Sequence, residues 1–143
     1  MNNDGFPHKA HDILKAVSYF AKLDDFTLAS MERAAIRRVY DAEQVILIEG
    51  EPCVGLYIVE SGWLKAVKIG LDGREQVLQT LQPGDVFNAI SVFTDAPNQA
   101  TVAALETSVV WMVRREVLLN LLEEHPPVAR QVIQELAGKV QSL

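Results

Sequence analysis

Few residues in this chain carry chemistry by themselves, and their spacing excludes more than it suggests. Cys53 is the single cysteine, so an internal disulfide, a cysteine zinc site and an iron–sulfur cluster held by four cysteines of one chain are all excluded. The histidines, His8, His11 and His125, lie near the two ends and outside every strand-like segment. A metalloenzyme on a small β-barrel needs ligands pointing inward from strands, so that reading fails. There is no Ser-His-Asp or Cys-His set and no HExxH, Walker or GxGxxG pattern, and the chain is not read as an enzyme. Glu49, Glu51, Glu60, Glu75 and Asp85 are scattered over corners and strands, where solvated carboxylates are expected. Cys53, beside Pro52, reads as a small loop residue rather than a redox or haem ligand, and His8 and His11 as solvated side chains.

The elements that must position any site follow from length and punctuation. With 143 residues, 49% of them hydrophobic, the chain suits one domain with a real core. Thirteen basic and 19 acidic residues give a net charge of −6, which opposes nucleic-acid binding by bulk electrostatics. The basic clusters are only pairs, Arg37-Arg38 and Arg114-Arg115, and the second reads as surface charge at the start of a helix. No apolar run approaches the roughly 18 residues of a membrane span, and Met1–Ala10 lacks the layout of a signal peptide. A soluble, cytoplasmic protein is the expectation.

Apolar spacing predicts a helix over His11–Phe20 and a second from Phe26 to Arg33, capped by Asp24-Asp25. Strands are predicted near Ile36–Tyr40, Gln44–Glu49, Gly55–Glu60, Trp63–Ile69, Glu75–Leu81 and Ala100–Val113, the last broken near Thr107-Ser108. Gly50, Ser61-Gly62, Asp72-Gly73 and Pro83-Gly84 punctuate them, and Trp63–Ile69 lacks clean alternation. Between Val86 and Gln99 the strand pattern lapses into one short helical turn, Asn88–Phe93, and the loop Thr94-Asp95-Ala96-Pro97. Irregular segments on a rigid scaffold are where binding sites sit. Arg115–Glu124 reads as a leucine-rich helix. The last helix, roughly Pro127–Leu143, carries Ala129, Ile133, Leu136, Val140 and Leu143 at alternating steps of four and three, a coiled-coil seam. Val132 widens the stripe, as a helix also packed on its own domain requires. The layout is a single sensor-sized domain over 1–143: helices in 1–35, a β-roll over 36–114 with a short helix at 88–93, and helices in 115–143.

Three runs then carry a resemblance: Val45-Ile46-Leu47-Ile48-Glu49-Gly50-Glu51-Pro52, Leu56-Tyr57-Ile58-Val59-Glu60-Ser61-Gly62 and Leu81-Gln82-Pro83-Gly84-Asp85-Val86-Phe87. Over about Phe20 to Leu143 the chain resembles a cyclic-nucleotide-binding domain, and more narrowly the sensor half of the Crp/Fnr transcription regulators. The resemblance implies a mainly β fold with flanking helices: a double-stranded β-helix, or jelly roll, of about eight strands, N-terminal helices and a long C-terminal dimerisation helix. It implies a homodimer through that helix, and DNA contact only through a helix-turn-helix domain not present in this chain.

In relatives that bind cyclic nucleotides, backbone N–H groups of a short helix and an arginine hold the cyclic phosphate, while a glutamate holds the ribose 2′-hydroxyl. The family's glycine-glutamate falls here on Asn88-Ala89 and its arginine on Asn98, with Gln99 as a second candidate. The resemblance thus makes Phe87, Asn88, Ala89, Ile90, Ser91, Asn98, Gln99, Ala100 and Thr101 the candidate ligand-binding residues, with both charged contacts missing. A hydrogen bond to a charged group is worth about 1.5–3 kcal/mol, so each loss weakens binding by about 10- to 150-fold. A sensor with weak or lost cyclic-nucleotide binding follows. The alternatives are a haem or other small-effector sensor, and a ligand-free dimerisation module with the pocket filled by Ile90, Val92 and Phe93. Base contacts would begin near Ser142-Leu143. Trp63 and Trp111 read as core aromatics rather than pocket walls.

Overall fold

The computed structural model describes residues 6–142. In chain order it contains α1 (Phe6–Lys15), a 3-10 turn (Ser18–Phe20), α2 (Asp25–Ala34), β1 (Ile36–Tyr40), β2 (Val45–Leu47), β3 (Gly55–Ser61), β4 (Leu64–Ile69) and β5 (Glu75–Leu81). Then follow β6 (Val86–Phe87), α3 (Ala89–Thr94), β7 (Thr101–Ala104), β8 (Ser108–Arg114), α4 (Arg115–Glu124) and α5 (Pro126–Gln141). The chain divides into two compact units, a β unit over Ala35–Arg115 and a helical unit made of the residues before and after it.

In the β unit, eight strands pair antiparallel in two four-stranded sheets, ordered β1-β8-β3-β6 and β2-β7-β4-β5. Tyr57, Val59, Phe87 and Val110 from the first sheet meet Leu47, Leu64, Ala66, Leu81, Val102 and Ala104 from the second in one core. Each large apolar side chain so buried contributes roughly 1.5–3 kcal/mol. This is the jelly roll that the resemblance implied. Its corners depend on glycine where the sequence placed it: Gly50, Gly62 and Gly84 have φ of 87°, 101° and 92°.

Register shifts interrupt three of the strand pairs, and two of them bear on the sequence reading. In the β4–β5 pair, Ala66 faces Gln79 but Val67 faces Val77, so Leu78 is an extra residue and the register shifts. Within β4 itself Ala66 and Val67 are both buried, which breaks the period of two in this strand. In the β3–β8 pair, Val59 faces Val110 and Ser61 faces Val109, leaving Glu60 as the extra residue. Its carboxylate, only 9% exposed, accepts the Trp111 indole N–H at 2.7 Å and lies 3.3 Å from Arg37 Nε. Glu60 is therefore not the solvated carboxylate the sequence suggested. Trp111 is a core aromatic, 3% exposed, whereas Trp63 stands 45% exposed just ahead of β4 and is not. β6 was not foreseen because two residues are too few to display any periodicity.

In the helical unit the predicted helix over His11–Phe20 is broken. α1 ends at Lys15 and Val17 is extended (φ −75°, ψ 126°) before the 3-10 turn. The apolar spacing survives the break because Leu14, Val17 and Phe20 are all buried. Asp24 caps α2 as expected, its carboxylate accepting the Thr27 N–H at 2.8 Å. Hydrogen bonding from the Thr27 side chain, and then from its backbone N–H, holds the Asp24 carboxyl below its usual value. α4 has the predicted limits, and α5 starts one residue earlier than predicted, with Pro126 and Pro127 in its first turn. Leu143 lies outside the described residues.

Gly62 offers the sharpest test of these corners. A methyl group there would sit 2.1 Å from Ser108 Oγ and 2.6 Å from Ser108 Cα, on top of the positive φ. Ser108 has nowhere to go: it is fully buried, accepts the Trp63 N–H at 3.2 Å and donates to the Glu106 carbonyl at 2.8 Å. Gly62→Ala is expected to cost about 3 kcal/mol in denaturant unfolding, whereas Gly138→Ala, inside a helix and with open space around it, should stabilise by up to about 1 kcal/mol. A Gly62→Ala change as harmless as Gly138→Ala would contradict the close approach.

Candidate functional site

The candidate segment centres on α3, six residues that cannot stand alone, because isolated helices need about 12–15 residues to persist. Its terminal carbonyls find partners one by one. Ile90 O accepts from Thr94 Oγ1 at 2.7 Å, Ser91 O from the Ala96 N–H at 3.2 Å, and Val92 O from Arg115 Nε at 3.1 Å. The Ser91 hydroxyl, 1% exposed, donates to the Pro97 carbonyl at 2.9 Å and draws the following loop back onto the helix. At the front, Phe87 pairs in register with Tyr57 and stacks on it, with ring centroids 5.0 Å apart and planes 14° from parallel.

Asn88 follows that stack in the left-handed region, φ 73° and ψ 14°. Asparagine is among the few side-chain-bearing residues that accept this conformation, so it can stand where the family pattern has glycine. Its side chain then does what glycine cannot. Asn88 Nδ2 donates to Asn98 Oδ1 at 3.1 Å and to Gly55 O at 3.0 Å, and it lies 3.5 Å from Cys53 Sγ. Asn98 is 6% exposed, and its own Nδ2 donates to Ile48 O at 3.1 Å. Its backbone also brackets the neighbouring turn, through Asn98 N–H to Glu51 O and Gly50 N–H to Asn98 O, both 2.9 Å. Thr101 Oγ1 accepts the Glu49 N–H at 3.0 Å.

The sequence-predicted residues are thus brought together, but not all toward open space. Asn88, Ser91, Asn98 and Thr101 bond to one another or to backbone, and Phe87 belongs to the core. Ala89 and Ala100 are half-buried, and Ile90 and Gln99 are exposed. Of the three side chains proposed to fill a pocket, Val92 is fully buried, Phe93 partly, and Ile90 is half exposed.

Arg115 is the residue that sequence reasoning missed. Arg114 is exposed, but the Arg115 side chain is 25% exposed, bonds Val92 O and lies 3.3 Å from Asp95 Oδ1. Twenty-three residues separate it from Val92, and no local pattern signals so distant a contact. Burial raises the Cys53 thiol, which keeps it protonated at neutral pH and opposes a redox role. His11, its side chain 43% exposed, lies 2.7 Å from Glu32, and His125 lies 3.4 Å from Thr27, both contacts within the helical unit. The side chain of His8 lies outside the described residues.

On α5, Val128 and Val132 are buried, while Ile133 and Val140 are 65% and 68% exposed and Ala129 and Leu136 half-buried. The predicted seam is therefore largely separate from the face that packs within the helical unit. Among the described residues no helix is long and apolar enough to cross a membrane.

Residues 37–125 match the family model of the cyclic nucleotide-binding domain. The chain belongs to that family. This domain is 24% identical, over 129 residues, to the CRP-like cAMP-activated global transcriptional regulator of Mycobacterium tuberculosis, covering 90% of this chain and 58% of that one. It thus spans little more than half the length of that curated relative. The sensor domain of the transcriptional regulator DNR from Pseudomonas aeruginosa has the same fold, with TM-score 0.88, 22% identity, and 96% and 92% of the two chains covered. So does the regulatory subunit of a cAMP-independent protein kinase A from Trypanosoma brucei, with TM-score 0.77, 20% identity, and 93% and 47% covered.

Tyr57, beneath the segment, gives a pH-dependent signature. Desolvation pushes its phenol up to about 12, and the neighbouring Tyr40 and Cys53 add to the rise. A folded-state pKa above the unfolded value contributes stability fully present below about pH 10 and lost as pH climbs toward 12. Wild-type protein is therefore expected to lose thermal stability steadily between those pH values. Tyr57→Phe should lose visibly less over the same interval, and parallel curves would place the alkaline sensitivity elsewhere.

Proposed function

We propose that this chain is the ligand-sensing half of a dimeric, Crp/Fnr-like regulator whose cyclic-nucleotide binding has been weakened or lost. The observation that carries this reading is the side-chain bridge from Asn88 to Asn98. At the position matching the family's arginine, both ends of the Asn98 amide are engaged inward. Ala89, matching the glutamate, has no group to accept a ribose hydroxyl. The guanidinium that does reach α3, Arg115, is bound to Val92 O and Asp95 rather than to the amino end of the helix. That the CRP-like relative is cAMP-activated while the trypanosome neighbour is cAMP-independent fits a fold that serves regulation with or without this ligand. In such a domain an effector acts by favouring one of two pre-existing arrangements and so repositioning the attached heads.

Calorimetric titration with cAMP and cGMP tests the loss. Two missing charged contacts predict dissociation constants above about 100 μM, and the paired change Ala89→Glu with Asn98→Arg should tighten binding at least about tenfold. Micromolar or tighter binding by the wild type would sink this reading.

The dimer rests on Ala129, Ile133, Leu136, Val140 and Leu143, with Gly138 open enough for close helix approach, since nothing lies within 4 Å of where its Cβ would be. A twofold interface repeats each lost contact, so Ile133→Asp is expected to weaken self-association by about 100-fold or more. Sedimentation at tens of micromolar should show a dimer for the wild type and a monomer for the variant. A wild-type monomer would remove the proposal.

A further inference from the structure

The helical unit contains a cavity of about 180 Å³, formed where the 3-10 turn, the start of α2 and the start of α5 come together. Its lining includes three buried side chains, Tyr19, Leu23 and Val128, which make an apolar floor. Two exposed residues of opposite charge, Lys22 and Asp24, also line it. The Asp24 carboxylate takes hydrogen bonds from the Thr27 hydroxyl and from the Thr27 N–H, which favour its ionised form. The single hydroxyl proton of Thr27 is thereby spent, so the lining residue His125 is the donor, through Nε2, in its 3.4 Å contact with Thr27 Oγ1. Lys22 has no partner among the described residues. Gln131 gives its Nε2 to Glu135 Oε2 at 2.9 Å, and its amide oxygen is what it has left for a guest.

A guest is thus met by an ammonium, a carboxylate, an amide oxygen and an apolar floor. A simple anion would face Asp24, and a simple cation would face Lys22. A molecule bearing both charges answers each of them. The volume sets the size: an apolar cavity of about 150 Å³ admits benzene, and drug-sized pockets begin near 300 Å³. We propose that this cavity binds a free amino acid with an apolar side chain, its ammonium on Asp24 and the Gln131 oxygen and its carboxylate on Lys22. The side chain lies on Leu23 and Val128. Such a guest ties the turn before α2 to the first turns of α5, within the helical unit and apart from the α3 segment.

NMR titration of the full chain with L-leucine tests this. The dissociation constant is expected below about 1 mM, with amide signals moving in 19–24 and 125–131 and not in 87–101. L-Leucinamide, which lacks the carboxylate, and 4-methylpentanoate, which lacks the ammonium, should each bind at least about tenfold more weakly. Lys22→Gln, at an exposed position, should weaken leucine about tenfold and leave leucinamide unchanged. Leucinamide binding as tightly as leucine would mark the amino terminus of another chain as the guest, and 4-methylpentanoate binding as tightly a plain carboxylate; either overturns the proposal. So would an unchanged leucine affinity in Lys22→Gln, shifts confined to 87–101, or no saturation by about 10 mM leucine.

Discussion

The hydrogen bond between the half-buried amide of Asn88 and the buried amide of Asn98 sets the terms for the rest of the candidate segment. Each buried amide end left without a partner would cost about 1–3 kcal/mol, so the pair, once folded inward, resists being opened. Asn98 in turn joins the loop after α3 to the Ile48–Glu51 corner, through its side chain at Ile48 and its backbone at Gly50 and Glu51. Remove that joint, and the loop after α3 loses its tie to that corner, leaving the bonds of Ser91, Thr94 and Arg115 to hold the segment. Neutral side chains here bond to one another and to the backbone around them.

Much of the architecture was legible because glycine, proline and hydrophobic spacing act locally. Gly50, Gly62 and Gly84 marked corners that have positive φ, and the limits of α4 followed from its leucines and the two prolines beyond. Failures came where a local pattern was overridden. Leu78 and Glu60 are inserted residues, and an insertion puts its own strand out of step beyond that point, so no period-two count could run through β5 or β3. The break at Val17 was hidden because its side chain stays buried with the helical stripe on either side of it.

The site was legible in composition but not in connection. The expectation that Ala89 and Asn98, or Gln99, stand where the resembled family has charged groups came from matching positions and needed no coordinates. That Asn98 turns inward, that Asn88 can occupy a left-handed position, and that Arg115 supports the far end of α3 all depend on contacts between distant parts of the chain. Side-chain reach over such distances leaves no periodic trace in a sequence.

The inserted Leu78 has a consequence for how the protein behaves in a crowd. β5 is the outermost strand of its sheet, and every residue from Glu75 to Thr80 is exposed. A long, regular border of that kind is an invitation for a stranger's strand to add on and for fibres to grow. The extra residue interrupts the regular spacing of free N–H and C=O groups along that border and increases its local twist. An incoming strand would find only a few consecutive groups in step with its own, so the irregularity that obscured the register also guards the solubility of the fold.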